Sequence, residues 1–473
     1  MYLVGGAVRD ALLKHPIHDM DFIMPEKALE SARKVADALK GAYYALDQER
    51  QTGRVIIDHG NEDRLVMDFA TWQGPDLESD LRTRDFTINA MAMALHSPEA
   101  LIDPLGGVRD LHAKLLRACS PGALEADPVR ILRGVRLATV FDLHIVAETQ
   151  ERMRDAVHLI PGVSIERLRD ELFRIMDSPR PASAIRALDI LGALQPVLPE
   201  LSELQGVPQS RPHITDVWNH ALDVLQRMAV VLDVLDPNPD PESSDSLHLG
   251  LMVVLIGRYR EHIATHLRTQ LNPNRSYRAV LNFAALYHDA GKPRSQQSDE
   301  DGRIRFLEHE KIGARIVGGR AKALHLSNLE IDRLKTIVGQ HMRPIWLAHT
   351  GKTPSKRAIY RFFRDTGEAG VDICLLSLAD VLATYGITLP QDVWANHLEV
   401  IRSLLEAWWE RPRERVSPPL LLTGHDLISE FGMQPGPQIG QLLESLREAQ
   451  VTDQIRTREQ ALDFVRNSLK GSN

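Results

Sequence analysis

Cysteine is almost absent: Cys119 and Cys374 are the only two in 473 residues. Two cysteines build neither a disulfide framework nor a cysteine-based zinc knuckle, and each reads as a packing residue. An excess of positive charge is also missing. With a net charge of −8, a surface coated for nucleic acid is excluded, and any such contact must be local. No apolar run reads as a membrane span, and Met1 leads straight into a motif without room for a signal peptide. With the cysteine usage, this points to the cytoplasm. Repeats and low-complexity tracts are lacking. What is present is ordinary for a soluble globular protein, 43% hydrophobic and 25% charged. The length calls for three or four domains or subdomains.

The pattern changes along the chain. Up to about Gly107 short β-rich runs alternate with short helices: LVGG, DFIM, RVIID and RLVMDFA read as strands, the last two joined through HGNED. EKALESARKVADALKG is an amphipathic helix ended by Gly41. After Leu111 helical periodicity dominates. DPNPDPESSDS (236–246) has no apolar anchor and reads as a flexible insertion. Residues 107–136 carry six basic against three acidic side chains, a modest local patch for nucleic acid.

The opening residues carry chemistry. In LVGGAVRD, Gly5 and Gly6 stand before a helix, where free backbone N–H groups bind phosphate and glycine allows close approach. Arg9, one turn further, can add a charge-assisted contact. Asp19 and Asp21 flank Met20. On a strand both carboxylates face one side and can hold two Mg²⁺ ions against a triphosphate. Asp68 in LVMDFAT is a candidate third carboxylate. A glycine pair and a D-x-D are each common without function, so neither decides alone. In RTRDFTINAMA, Arg84 and Asp85 can bind a ribose or phosphate, or Asp85 and Thr87 can cap a helix. In ADPVRILRGVR, Asp127 and Pro128 suit a helix start. Yet Asp127 and Arg130 also share a helix face. An acceptor beside a donor matches the Watson–Crick edges of C and A, which carry an amino group, and disfavours U and G.

LVGGAVRD with DMD, then RDFTINA, DPLGG, DPVRILRGVR and SIERLRDEL, follow the motif order of the class II tRNA nucleotidyltransferases. These are the CCA-adding enzymes and the bacterial poly(A) polymerases. The chain resembles that family over about its first 200 residues, and GHDLI with PGPQIGQLLESL resembles its tail. The resemblance implies a polymerase β-like palm with catalytic metals on Asp19 and Asp21. It places Gly5, Gly6 and Arg9 by the triphosphate, Arg84 and Asp85 on the ribose, and Asp127 and Arg130 on the base. Arg133 helps to bind the nucleotide, and SIERLRDEL is a neck helix supporting the base reader. Thr83 and Ala126 replace an Arg and a Glu often found in the family. A larger departure follows Gln73: where many CCA-adding members carry a flexible Arg-rich loop, ATWQ reaches LESDL through little more than Gly74-Pro75-Asp76. In the family such shortening accompanies enzymes that add only the two cytidines.

A second constellation spans 213–380. His220 lies in TDVWNHALDVL, His288 and Asp289 in YHDAGK, His309 in FLEHEKIGA, His341 in GQHMRP and Asp380 in LSLADVLATYG. Imidazole and carboxylate are natural ligands of a divalent metal. The ordered set resembles the HD phosphohydrolase superfamily. That implies a divalent transition metal (Mn, Ni, Co or Fe) and hydrolysis of phosphomonoester or 2′,3′-cyclic phosphate ends. His18, His248 and His262 fall outside the pattern and read as ordinary packing or surface residues.

The expected fold is α+β: a polymerase β-like nucleotidyltransferase head (1–115), a helical neck with base-recognition and tRNA-binding helices (116–200), an HD domain (201–412) and a helical RNA-binding tail (413–473). The expected activity is template-independent addition of CMP to the tRNA 3′ end, as CC or as part of CCA. The partners are the tRNA 3′ end, CTP and, for CCA, ATP, with no membrane. Competing readings are an A-adding enzyme or poly(A) polymerase, and an HD phosphohydrolase with an RNA-binding head. The oligomeric state is left open.

Overall fold

The computed structural model describes residues 1–17, 19–58, 64–239, 246–272 and 275–470. His18, the HGNED turn and residues 240–245 of the proposed insertion lie outside the described residues. Contacts divide the chain into two units, Met1–Val197 and Leu198–Asn473.

The first unit opens with a seven-stranded sheet. Its strands are β1 Tyr2–Val4, β2 Asp19–Met24, β3 Ala42–Asp47, β4 Thr52–Asp58, β5 Arg64–Thr71, β6 Ala92–Ala94 and β7 Ser97–Ile102, in the order β3-β4-β5-β2-β1-β6-β7. Only β2 and β5 run parallel. β2 is divided along its length: Asp19, Met20 and Asp21 lie at its accessible end, and Phe22, Ile23 and Met24 are buried. The apolar half anchors the strand and the acidic half projects from it. The helix Ala28–Leu39 covers one face. Its buried stripe, Ala32 and Ala36 with Ala28, recurs at every fourth residue and lies in the same core as Val55, Met67 and Phe69. Small side chains let the helix lie close to the sheet.

Beyond the sheet the unit is helical. The helix Arg130–Val140 packs on Ile165–Met176, and Arg136 Nε donates to Glu171 Oε2 across that contact at 2.9 Å. Strand among the described residues after 111 is limited to pairs of two- or three-residue segments.

In the second unit, the helix Ala369–Tyr385 is buried at every position from Ala369 to Ala383 and packs against Val217–Val234. This stretch corrects one reading of the sequence. The segment Ala369–Thr388 is long and apolar enough to cross a membrane by length and composition, but 83% of its apolar window is buried inside the protein. The tail has its own small core around Leu427, Leu446, Ala461 and Val465. It docks on the helix Lys356–Thr366 through Arg361 to Glu448 (2.9 Å) and Arg364 to Glu444 (3.1 Å).

Candidate active site and metal centre

In the head, the register of the parallel pair sets Asp21 directly opposite Asp68. Asp19 shares the face of Asp21, two residues along the strand. Three carboxylates from two adjacent strands therefore form one acidic cluster. Burial raises the Asp21 pKa and outweighs the Arg84 and Arg133 guanidinium groups, which act to lower it. A divalent ion would relieve that penalty, and the hard oxygen donors suit Mg²⁺.

Gly5 turns the chain beside this cluster with φ of +74°. A Cβ there would meet Asp21 Oδ2 and Arg84 Nη1, each at 3.2 Å, so the turn passes directly over the carboxylates. Arg84 lies close by, its Nη2 3.4 Å from Asp80 and its Nε buried without a hydrogen-bond partner. Arg9 departs from the expected phosphate contact. Its guanidinium is buried: Nη1 donates to Asn89 Oδ1 at 2.6 Å, Nε and Nη2 donate to Asp10 at 2.9 Å, and the group lies 4.3 Å over the Phe141 ring. It ties the head to the residue that ends the Arg130–Val140 helix.

Asp85 is a junction rather than a helix cap. Its Oδ1 accepts from Phe86 N (2.7 Å) and Asn89 Nδ2 (3.1 Å), and Oδ2 pairs with Arg133 Nε at 3.0 Å. Burial pushes its carboxyl pKa up, but Arg133 and these donors hold it below the ordinary value. Thr87 donates to Asp110 at 2.8 Å, and the segment Thr87–Asn89 is a single turn.

Asp127 does not cap the helix either. Its backbone is extended (φ −152°), and the helix begins at Arg130. Its Oδ2 is held by Arg167 from the neck helix at 2.5 Å, while its Oδ1 is buried without a hydrogen-bond partner. Arg130 Nη1 donates to the carbonyls of Ala123 (3.0 Å) and Arg84 (3.2 Å). The pair therefore presents one free acceptor and fixes the donor beside it.

All six residues of the second constellation meet in the second unit, and all are buried. His220 comes from Val217–Val234 and Asp380 from Ala369–Tyr385. His288 and His341 follow the ends of Tyr277–Tyr287 and Asn328–Gln340, and His309 begins His309–Ala323. Gly291 lets the turn after Asp289 cross His309, since a Cβ there would lie 2.0 Å from the His309 carbonyl oxygen. The ligand atoms form two groups, His220–His288–Asp380 and Asp289–His309–His341, each within 4.8 Å. Asp289 faces both: Oδ2 lies 3.1 Å from His288 Nε2 and 3.6 Å from His220 Nε2, and Oδ1 lies 3.4 Å from His309 Nε2.

The Nδ1 atoms of His288, His309 and His341 lie 2.7 to 2.8 Å from carbonyls three residues earlier. A ring donating there turns its Nε2 lone pair inward, as a metal ligand requires. His288 Nε2 is buried with no hydrogen-bond partner. Burial and its histidine neighbours push His341 down to about 3, so its ring is neutral, the form a metal would require. These imidazole and carboxylate donors would suit a divalent transition metal, with Asp289 facing both groups.

Three further residues complete this site and were not singled out from sequence. Lys292 Nζ lies 2.6 Å from Asp289 Oδ2 and 2.6 Å from Gln209 Oε1. His213, pushed down to about 4 by burial and by Lys292, stacks edge-on to His220 at 4.9 Å. Trp346 is half exposed and lines, with Lys292, His309 and Asp380, a cavity of about 850 Å³. His248 packs against Trp394, and His262 is an exposed residue beside Trp409.

The head thus combines sheet-borne carboxylates with an adjoining helix that carries Arg130 and Arg133. Residues 1–117 match the poly A polymerase head domain, 142–204 an RNA and SrmB-binding site of polymerase A, 251–385 the HD domain and 416–465 a tRNA nucleotidyltransferase domain 2. The A-adding tRNA nucleotidyltransferase of Deinococcus radiodurans is 32% identical, over 98% of this chain and 94% of that protein. The CC-adding enzyme of Geobacter sulfurreducens is 31% identical, over 98% and 91%. A CCA-adding enzyme in its apo form I superposes with a TM-score of 0.59 at 19% identity, over 98% and 89% of the two chains. A Thermotoga maritima CCA-adding enzyme solved with tRNA gives 0.56 at 20%, over 99% and 91%. The chain belongs to the class II tRNA nucleotidyltransferases and carries an HD domain.

Proposed function

We propose that the chain is a CC-adding enzyme, transferring CMP from CTP to the tRNA 3′ end without a template. The observation that carries this is the connection after β5. It runs only from Trp72 to Asp76 before the helix Leu77–Arg82 begins. Gln73 N donates to Asp80 (2.8 Å), Gly74 turns at φ +94°, and Asp76 caps the helix by accepting from Ser79 N (2.8 Å). A turn closed in this way has no length for the mobile arginine-rich loop that CCA addition employs in the family.

Asp19 and Asp21 would hold Mg²⁺, which supplies charge neutralisation for the triphosphate and acidifies the attacking hydroxyl. Asp127 and Arg130 orient the base, the free Oδ1 accepting from the cytosine amino group. The 3′-hydroxyl oxygen attacks the α-phosphorus and the bond to pyrophosphate breaks. A second reading, A addition, is favoured by the A-adding relative and by the match of Asp127 to the adenine amino group. tRNA transcripts ending before C74, C75 or A76, offered single labelled nucleotides, separate the two. C incorporation without A supports our reading, and A incorporation alone overturns it.

The HD centre is assigned to hydrolysis of phosphomonoesters or 2′,3′-cyclic phosphates at RNA ends, with Mn, Ni, Co or Fe bound by its six ligands. Lys292 and the cavity beside Asp289 support this, since they offer a cation and space to a phosphate ester. His288→Ala should lose cyclic phosphate hydrolysis and keep nucleotide addition. If the unaltered protein hydrolyses no phosphate ester with any of these metals, the HD assignment fails.

A further inference from the structure

Arg54 lies on β4 directly opposite Asp68 on β5. Its Nε donates to Asp68 Oδ1 at 2.7 Å and its Nη2 to Oδ2 at 2.8 Å, a bidentate pair. The pair is partly exposed, 41% for the Arg54 side chain and 27% for Asp68. Asp19 and Asp21 also act on Arg54, raising its guanidinium pKa further, though less than Asp68 does. One fixed cation therefore serves all three carboxylates of the head. Without it, three like charges would converge, with Arg84 and Arg133 acting on Asp21 from behind.

We propose that Arg54 is a positioning residue and resident counter-cation of the transfer site. It fixes the Asp68 carboxylate from the β4 side, opposite to Asp21, when no metal is bound, and it keeps the Mg²⁺ affinity of the nucleotide-free head low. Mg²⁺ dehydrates reluctantly and is bound by one or two carboxylates together with substrate phosphates. A cluster already carrying a guanidinium takes up the ion chiefly with the triphosphate, whose oxygens complete the coordination. Arg54 thereby couples metal loading to nucleotide arrival. A carboxylate has about four lone-pair sites, so Asp68 can retain Arg54 and still face an ion. This rests on the assignment of Asp19, Asp21 and Asp68 as the metal-binding carboxylates.

The test is Mg²⁺ titration calorimetry on the full chain without nucleotide, with the Mg²⁺ dependence of CMP incorporation measured alongside. The HD site is common to all the variants, so differences report the head. Arg54→Gln should bind Mg²⁺ roughly three- to tenfold more tightly without CTP, since a unit charge is removed within a few ångströms of the ion. The half-saturating Mg²⁺ for incorporation should fall in step. Arg54→Lys keeps the charge without the planar fork, and its Mg²⁺ affinity should stay within about twofold of the unaltered protein. Asp21→Ala should remove the head's share of the Mg²⁺ binding. If Asp21→Ala changes nothing, the metal assignment is wrong. If Asp21→Ala acts but Arg54→Gln leaves the affinity unchanged or weakens it, the role given to Arg54 is wrong.

Discussion

Asp127 is divided between two tasks, one oxygen held by Arg167 and the other left buried and free. A buried acceptor without a partner costs free energy, which a base bearing an amino group relieves and a base bearing a carbonyl does not. Asp127→Ala should therefore cut the preference for CTP over UTP by about ten- to a hundredfold, the range of a recognition pair worth ~1–3 kcal/mol. The ratio of kcat/KM for the two nucleotides, on a tRNA lacking CCA, measures it, and an unchanged ratio would remove Asp127 from base reading. The acidic and histidine residues of both sites were legible because motif order marks them. Arg54, Arg167 and Lys292 were not singled out. A lone cation has no signature until sheet register or helix packing brings its carboxylate opposite.

The neck shows how elements hold a site that they do not enter. Glu171 on the neck helix accepts from Arg136 Nε at 2.9 Å and from Arg174 Nη1 at 3.0 Å, and its side chain is almost fully buried. Burial acts to raise its pKa, but Arg136, Arg133 and Arg174 hold it below the usual glutamate value of 4.5. A depressed carboxyl stabilises the fold above its unfolded value, and that contribution is lost as pH falls through the folded one. Acid unfolding of the native chain below about pH 4.5 should therefore have a component missing in Glu171→Gln. Circular dichroism against pH reads it, and coincident acid limbs would refute it. Glu171→Ala should cost ~3–5 kcal/mol by leaving Arg136 uncompensated. Element types were largely readable from periodicity: the amphipathic helix, the β-rich head and the helical body are all present. The strand order was not, because alternation says which face is buried and nothing about which strand lies alongside.

Across the whole molecule, the two sites sit in units with separate cores, and only the second unit contains the histidine-rich donor set. Its metal should act on stability by mass action: Mn²⁺ at a hundred times its Kd adds ~2.7 kcal/mol to unfolding. The gain should be lost in His288→Ala, while CMP incorporation persists. Asp289 raises the His288 pKa above its usual value despite burial, so the metal must displace a proton there. The thermal shift should accordingly shrink as pH falls through that raised value, and a shift that stays the same on acidification would contradict the ligand assignment. The buried helix Ala369–Tyr385 has a consequence during synthesis. By length and composition, its apolar run would pass for a membrane span before it is packed away. Its packing partner Val217–Val234 leaves the tunnel well over a hundred residues earlier. In a growing chain that folds from its N-terminus, Val217–Val234 would be present as a docking face before the segment that carries Asp380 emerges.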